Sequence, residues 1–315
     1  MSKTFSSSYA NVTISDPTYN PVSITTSGTI TGTATALYSD LAALTITNSG
    51  KVAGGSGGGK AGVSLHSGGG LISNQSGGTI TGTYGIVLTA GGRAVNAGGI
   101  AGSGAAFAKG VQFGASGEVT NQSGGVITGN YDGVFASSGS LTVVNAGSIA
   151  DTLNAALDLR GAASGGQITG GVQGIAISGD VGTITNQGTI IGQGAAGAGV
   201  ALAVGGFVSN TSSGTISAGR FGVVANSAAT ELNDGSLNGS SYDGIALLAG
   251  GTASNSATGR ITGGSNGIYV HNAGGTVTNA GTVTGNVGIN LLAGWHGGAT
   301  RRPQSSAVAS SASRW

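Results

Sequence analysis

Chemistry needs acids, bases, nucleophiles or metal ligands, and this chain carries few of them. Its 315 residues include ten Asp and Glu, eleven Lys and Arg, three His and no Cys. Without Cys there is no thiolate metal site, no cysteine nucleophile and no disulfide. The acids are Asp16, Asp40, Glu118, Asp132, Asp151, Asp158, Asp180, Glu231, Asp234 and Asp243. Glycoside hydrolysis would need two carboxylates about 5–9.5 Å apart. A polysaccharide lyase would need calcium-binding acids beside a Lys or Arg base, and no stretch carries such a cluster. Asp132 and Asp243 stand in matching strings, Tyr131-Asp132-Gly133 and Tyr242-Asp243-Gly244, which read as Asp-Gly corners. The local charged set is Asp158 and Arg160, with Phe135 beside them on the preceding repeat. These three are the candidate ligand contacts, against a reading of Asp158 and Arg160 as a solvated pair. The Gly-rich run Gly54 to Lys60 superficially matches a phosphate loop, but no helix follows it. No catalytic residue, cofactor or metal is expected.

The elements that must position these residues come from one repeat, written about twelve times. The segments 275–291 (GTVTNAGTVTGNVGINL), 182–192 (GTITNQGTIIG) and 118–129 (EVTNQSGGVITG) share one plan. A β-branched run ends in Asn, a Gly turn follows, and a second run ends in Gly. A third run has the form Gly-Ile/Val-x-apolar, as in Gly85-Ile86-Val87-Leu88 and Gly133-Val134-Phe135-Ala136. The centre of the second run, from Ile30 to Val283, recurs about every 23 residues. The third run, from Val63 to Ile289, has the same mean spacing. Apolar and polar residues alternate, as in Thr79-Ile80-Thr81, so each run is a strand. Three strands per repeat with tight corners cannot form four-stranded propeller blades. The pattern predicts an all-β, right-handed parallel β-helix, a solenoid of about twelve coils with three strands each. At the parallel strand spacing this is a rod of roughly 55–60 Å.

On that scaffold Asp132 and Asp243 lie about five coils apart, roughly 24 Å, and cannot act as a pair. His66 and His271 occupy equivalent outward positions nine coils apart and cannot share a metal. Thr pairs such as Thr29/Thr31, Thr79/Thr81 and Thr282/Thr284 could order water on one face. Lys51, Gln167, Ile191 and Arg260 interrupt them, so ice binding is not favoured. The most regular polar residue closes the first run: Asn48, Asn74, Asn96, Asn121, Asn145, Asn186, Asn210, Asn233, Asn255 and Asn279. A degenerate coil near Ser164 fills the slot between Asn145 and Asn186. Asn74, Asn121 and Asn210 head glycosylation sequons, but a ladder of stacked amides is the stronger reading. All three Pro residues lie outside the repeats, as expected where every strand is paired on both sides.

Composition removes further classes. Gly supplies 66 residues without a Gly-X-Y period, so the chain is not collagen. Charged residues are 7% and apolar ones 38%, the reverse of a disordered composition. A net charge of +1 gives no field for nucleic acid or an anionic membrane. No apolar run is long enough to span a bilayer as a helix. Three segments follow: a lead-in at 1–21, the repeats at 22–294, and a tail at 295–315 read as disordered or out of frame. The lead-in shows no signal-peptide h-region.

The strings at 276–285, 183–192 and 244–251 resemble passenger-domain repeats of bacterial autotransporters, and related repeats of filamentous-haemagglutinin-type adhesins. The resemblance covers residues 22 to about 294. It implies a non-catalytic β-helix on the cell surface or secreted, in adhesion or surface structure, with host or environmental glycans or other surface proteins as partners. Family members also carry a signal and a C-terminal membrane barrel, neither of which is visible here, so a truncated passenger is a further reading. Outward aromatics (Tyr131, Phe135, Phe221, Tyr242 and Tyr269) would make the contacts. The alternative from another class is a carbohydrate-active β-helix enzyme, of polysaccharide lyase or glycosidase type.

Overall fold

The structure, a computed structural model, describes residues 2–158, 161–179, 181–272 and 274–292, with Asp158 and residues 161–163 described in their backbone only. The tail at 295–315 lies outside the described residues. The fold is an all-β parallel solenoid of about twelve coils, with three strands per coil and about 23 residues per turn. Each coil gives one strand to each of three parallel sheets. Contacts divide the chain into two compact units, Met1–Ala162 with Gly166–Gly171, and Ala163–Gly165 with Val172–Trp315. Among the described residues no helix is long and apolar enough to cross a membrane.

In the first unit the register stacks like on like. Val52, Ile80 and Ile100 pair in succession in the second sheet. Val63, Ile86, Val111, Val134 and Leu157 do the same in the third. All are buried, and each contributes about 1.5–3 kcal/mol. The alternation in the sequence is the cause, because successive strand residues point to opposite faces. Residues 1–21, set apart as a lead-in, supply three paired strands, Lys3–Phe5, Ser8–Ala10 and Val12–Ile14.

The Gly of the Gly-Ile/Val signature has a steric cause. A Cβ on Gly133 would sit 2.7 Å from Ile149 Cγ2 and 2.8 Å from Ala156 O. The third strand thus begins where the next coil's backbone and core come too close for any side chain.

The second unit repeats the plan. Ile190, Ile216, Leu237 and Ile261 form its second-sheet column. Val200, Val223, Ile245 and Ile268 form the third. Its first-sheet column contains an exception. Val208, Glu231 and Ala253 are in register, so a carboxyl group occupies an aliphatic place.

Candidate functional site

The Asn ladder occupies the end of each first-sheet strand. Asn48 Nδ2 donates to Asn74 Oδ1 at 2.8 Å, Asn74 to Asn96 at 2.8 Å, Asn96 to Asn121 at 2.9 Å and Asn121 to Asn145 at 2.8 Å. In the second unit Asn186, Asn210, Asn233, Asn255 and Asn279 are linked in the same way at 2.8–2.9 Å. Each amide also serves its own corner. Asn121 Nδ2 lies 3.1 Å from both Gly125 O and Ser148 O, while Gly98 N donates to Asn96 Oδ1 at 3.2 Å. Asn145 donates instead to the Gln167 carbonyl at 3.0 Å. All of these side chains but the half-buried Asn279 are buried, so Asn74, Asn121 and Asn210 present no amide to a glycosyl donor in the folded chain. The ladder is internal bracing, which satisfies polar groups that burial would otherwise leave unpaired.

Outward chemistry gathers where the third strand of a coil begins. In the first unit Tyr84, Lys109, Asp132 and Ala155 stand in register there. Lys109 Nζ lies 3.7 Å from Asp132 Oδ2 and within 4.6 Å, 5.4 Å and 5.9 Å of the ring centroids of Phe135, Tyr131 and Tyr84. Asp132 is fully buried and its Oδ1 accepts from Asn154 Nδ2 at 2.9 Å. Asp132 therefore opens the strand Asp132–Ala136 rather than forming an exposed Asp-Gly turn. The reason is the ammonium stacked one coil earlier, which compensates a buried carboxylate. Asp151 shares this corner through Asn154. Its Oδ2 accepts from Leu153 N at 2.9 Å and Asn154 N at 2.6 Å, and its Oδ1 from Gly171 N at 3.1 Å. Desolvation still raises its pKa above the ordinary value, against the pull of those three N–H groups.

The second unit builds the same corner differently. Phe221 holds the register place before Asp243 that Lys109 holds before Asp132, since Val223 pairs with Ile245 and Val111 with Val134. The positive charge moves one residue outward, to Arg220. The guanidinium carbon lies 4.7 Å from the Phe221 centroid and 4.9 Å from that of Tyr242, and the two rings meet edge to face at 5.4 Å. Arg220 is exposed, and Tyr242 is 45% exposed. Asp243, 1% exposed, takes both Asn266 Nδ2 at 2.7 Å and Asn266 N at 3.2 Å on Oδ1. Its Oδ2 is buried without a hydrogen-bond partner. Burial raises the Asp243 pKa, opposed by the Asn266 bonds and by Arg220.

Of the three expected ligand contacts, Phe135 lies in the first corner under Lys109 and pairs in register with Asp158. Arg160 and the Asp158 side chain lie outside the described residues. Three features escape the sequence reading. Glu231 is 1% exposed, and neither carboxyl oxygen has a hydrogen-bond partner, so burial drives its pKa well above the ordinary range. Its signal was available: the residue two before a ladder Asn points into the core, and Glu231 is two before Asn233. His66, read as solitary, meets its neighbours across one coil. Tyr38 Oη donates to Asp40 Oδ1 at 2.7 Å and lies 3.2 Å from His66 Nδ1. That bond to Asp40 raises the Tyr38 pKa, and the residue is half-buried. The third is Lys109, whose partner is a residue read as a turn. Among the described residues no group of three or more His, Asp or Glu could hold a metal ion. No family model, no curated protein and no solved structure matches the chain.

Proposed function

We propose that the protein is a non-catalytic surface module, of the autotransporter-passenger kind that its repeats resemble, acting in adhesion or surface structure outside the cell. The observation that supports this most is the fate of the acids. Asp132, Asp151, Glu231 and Asp243 are between 0% and 5% exposed, so none presents a carboxyl group to a glycosidic oxygen. A general acid or base has to come within hydrogen-bond reach of the substrate atom it serves. At the second corner what faces outward is the Arg220 guanidinium over the rings of Phe221 and Tyr242, which suits binding rather than turnover.

The carbohydrate-active enzyme is the second reading, and one observation favours it. Asp132 and Asp151 both bond Asn154, so two carboxyl groups and Lys109 converge on one corner. Three backbone N–H groups occupy Asp151, however, and Lys109 holds Asp132 in the interior. The test pairs two assays on the purified chain. One is retention on immobilised polysaccharides and on cell surfaces. The other is release of reducing or unsaturated sugars from the same polysaccharides. Binding without release is the expected result. Turnover that disappears in Asp132→Asn would replace the adhesive reading with the enzymatic one.

A further inference from the structure

We propose that the corner made by Arg220, Phe221 and Tyr242 binds an acidic saccharide, with a sugar carboxylate on the guanidinium edge and a sugar face against Tyr242. The inference rests on the adhesive reading and names the ligand class of one site.

The guanidinium is held in place. It lies over two rings at 4.7 Å and 4.9 Å, and the rings brace each other at 5.4 Å. Contact with two rings that meet at 71° restricts where the group sits, and among the described residues none of the ion pairs takes up its N–H groups. A planar fork of donors matches a carboxylate in two parallel hydrogen bonds. The charge is also available. The ion pairs among the described residues are His66–Asp40, Arg93–Glu118 and Lys109–Asp132, and none involves Arg220. The nearest acid, Asp243, is turned inward, with Oδ1 on Asn266 and Oδ2 buried. It does not cap the guanidinium, and burial pushes its carboxyl toward the neutral form, which limits its repulsion of an anionic ligand.

The first unit shows what an occupied cation looks like. Lys109, with an 11% exposed side chain, lies 3.7 Å from the Asp132 carboxylate and donates to the Phe107 carbonyl at 3.4 Å, so little of its charge faces solvent. Moving the charge outward by one register place, with Phe221 taking the inner place, converts an internal ion pair into a surface platform. The remaining recognition surface is Tyr242, 45% exposed, whose ring suits the C–H face of a pyranose. A polyphosphate chain is disfavoured, because nucleic acid would need several cations in a row and the net charge is only +1. One carboxylate and one sugar ring fit the site.

The experiment titrates the full chain with an oligogalacturonate and with its fully methyl-esterified form, by calorimetry at low and moderate salt. Arg220→Gln, Arg220→Lys and Tyr242→Ala are measured beside Arg93→Gln, which alters an exposed Arg in the other unit. The expected result is binding of the acid form, at least tenfold weaker for the ester. Arg220→Gln and Tyr242→Ala each lose at least fivefold, Arg220→Lys loses part, and Arg93→Gln loses nothing. Melting curves for all variants are expected to superimpose, which separates lost contact from lost fold. Equal affinity for the ester, full binding by Arg220→Gln, or no binding of the acid form would each overturn the assignment. Adhesion of Arg220→Gln to cells is measured in parallel. If it persists while the oligogalacturonate result fails, the corner is wrong and the adhesive reading stands. If the wild-type chain adheres to nothing, the adhesive reading itself fails.

Discussion

The two units place an Asp at the same corner and handle its charge in opposite ways. In the first, Asp132 lies against the Lys109 ammonium, and Asp151 beside it is covered by three backbone N–H groups. In the second, Asp243 keeps one oxygen unpartnered, and Glu231 is buried with both oxygens unpartnered. The first arrangement spends its cation on the interior. The second leaves Arg220 on the surface and tolerates carboxyl groups that burial pushes toward the neutral form. A single register place, Lys in one unit and Phe in the other, separates an internal ion pair from an exposed guanidinium over two rings.

Removing the cations is the harshest test of that contrast. Lys109→Met removes the ammonium beside the buried Asp132 carboxylate and is expected to cost about 3 kcal/mol in urea unfolding of the full chain. Arg220→Gln is expected to stay within about 0.5 kcal/mol, as for exposed groups generally. Equal losses would show that both cations are structural.

The ladders come next in size. Asn121→Ala removes a bond to Asn145 and one from Asn96, and uncovers the Gly125 carbonyl. About 2 kcal/mol is expected. Asn145→Ala removes the bond from Asn121, the one from Gly147 N and the one to the Gln167 carbonyl, and should cost a similar amount. Thermal melting that left both variants unchanged would remove the ladder from the account of stability.

Glu231→Val should stabilise at neutral pH by about 1–3 kcal/mol, because it replaces an unpaired polar group in an aliphatic column. The sign follows from linkage. The folded pKa lies above the ordinary value of 4.5, so the folded chain keeps a proton that the unfolded chain releases. The stability associated with Glu231 is therefore full below that value and is lost as pH rises through it toward the folded pKa. Glu231→Gln should abolish this slope without filling the column. Unfolding curves across pH 4 to 8 that show the same slope in wild type and Glu231→Gln would contradict the buried carboxyl group.

The smallest effect sharpens the comparison most. Asp243→Asn is expected within about 1 kcal/mol of wild type at neutral pH, since it leaves a group of the same shape and removes only an ill-compensated charge. Asp132→Asn should cost more, because Lys109 then loses its partner. Chemical denaturation of the two variants side by side decides it. A larger loss for Asp243→Asn would reverse the assignment of which corner is structural.

Much of the fold can be read along the chain. Alternation around Ile80 and Val111 marks the inward face, and the recurrence of Asn four residues after Gly70, Gly92 and Gly117 marks the strand end. These are local patterns repeated in phase, so neighbouring copies have to stack in phase. The corner clusters are harder to read. Lys109 and Asp132 each lie two residues before the inward Val111 and Val134, so their register was implicit. Reading Asp132 as a turn residue hid the pairing, because Asp-Gly is also common turn chemistry. Glu231 was hidden by its type: a lone Glu on a strand is normally exposed.

The sequence by itself determined the winding, the aliphatic columns and the Asn ladder. These depend only on period and residue type, and a one-residue slip would turn every side chain to the wrong face. Tertiary structure alone decided which charges are spent inside and which face outward. Whether a cation meets a carboxylate or a ring depends on side chains from adjacent coils, far apart along the chain, and on how deeply each is buried. Lys109 reaches inward to Asp132, whereas Arg220 lies over Phe221 and Tyr242.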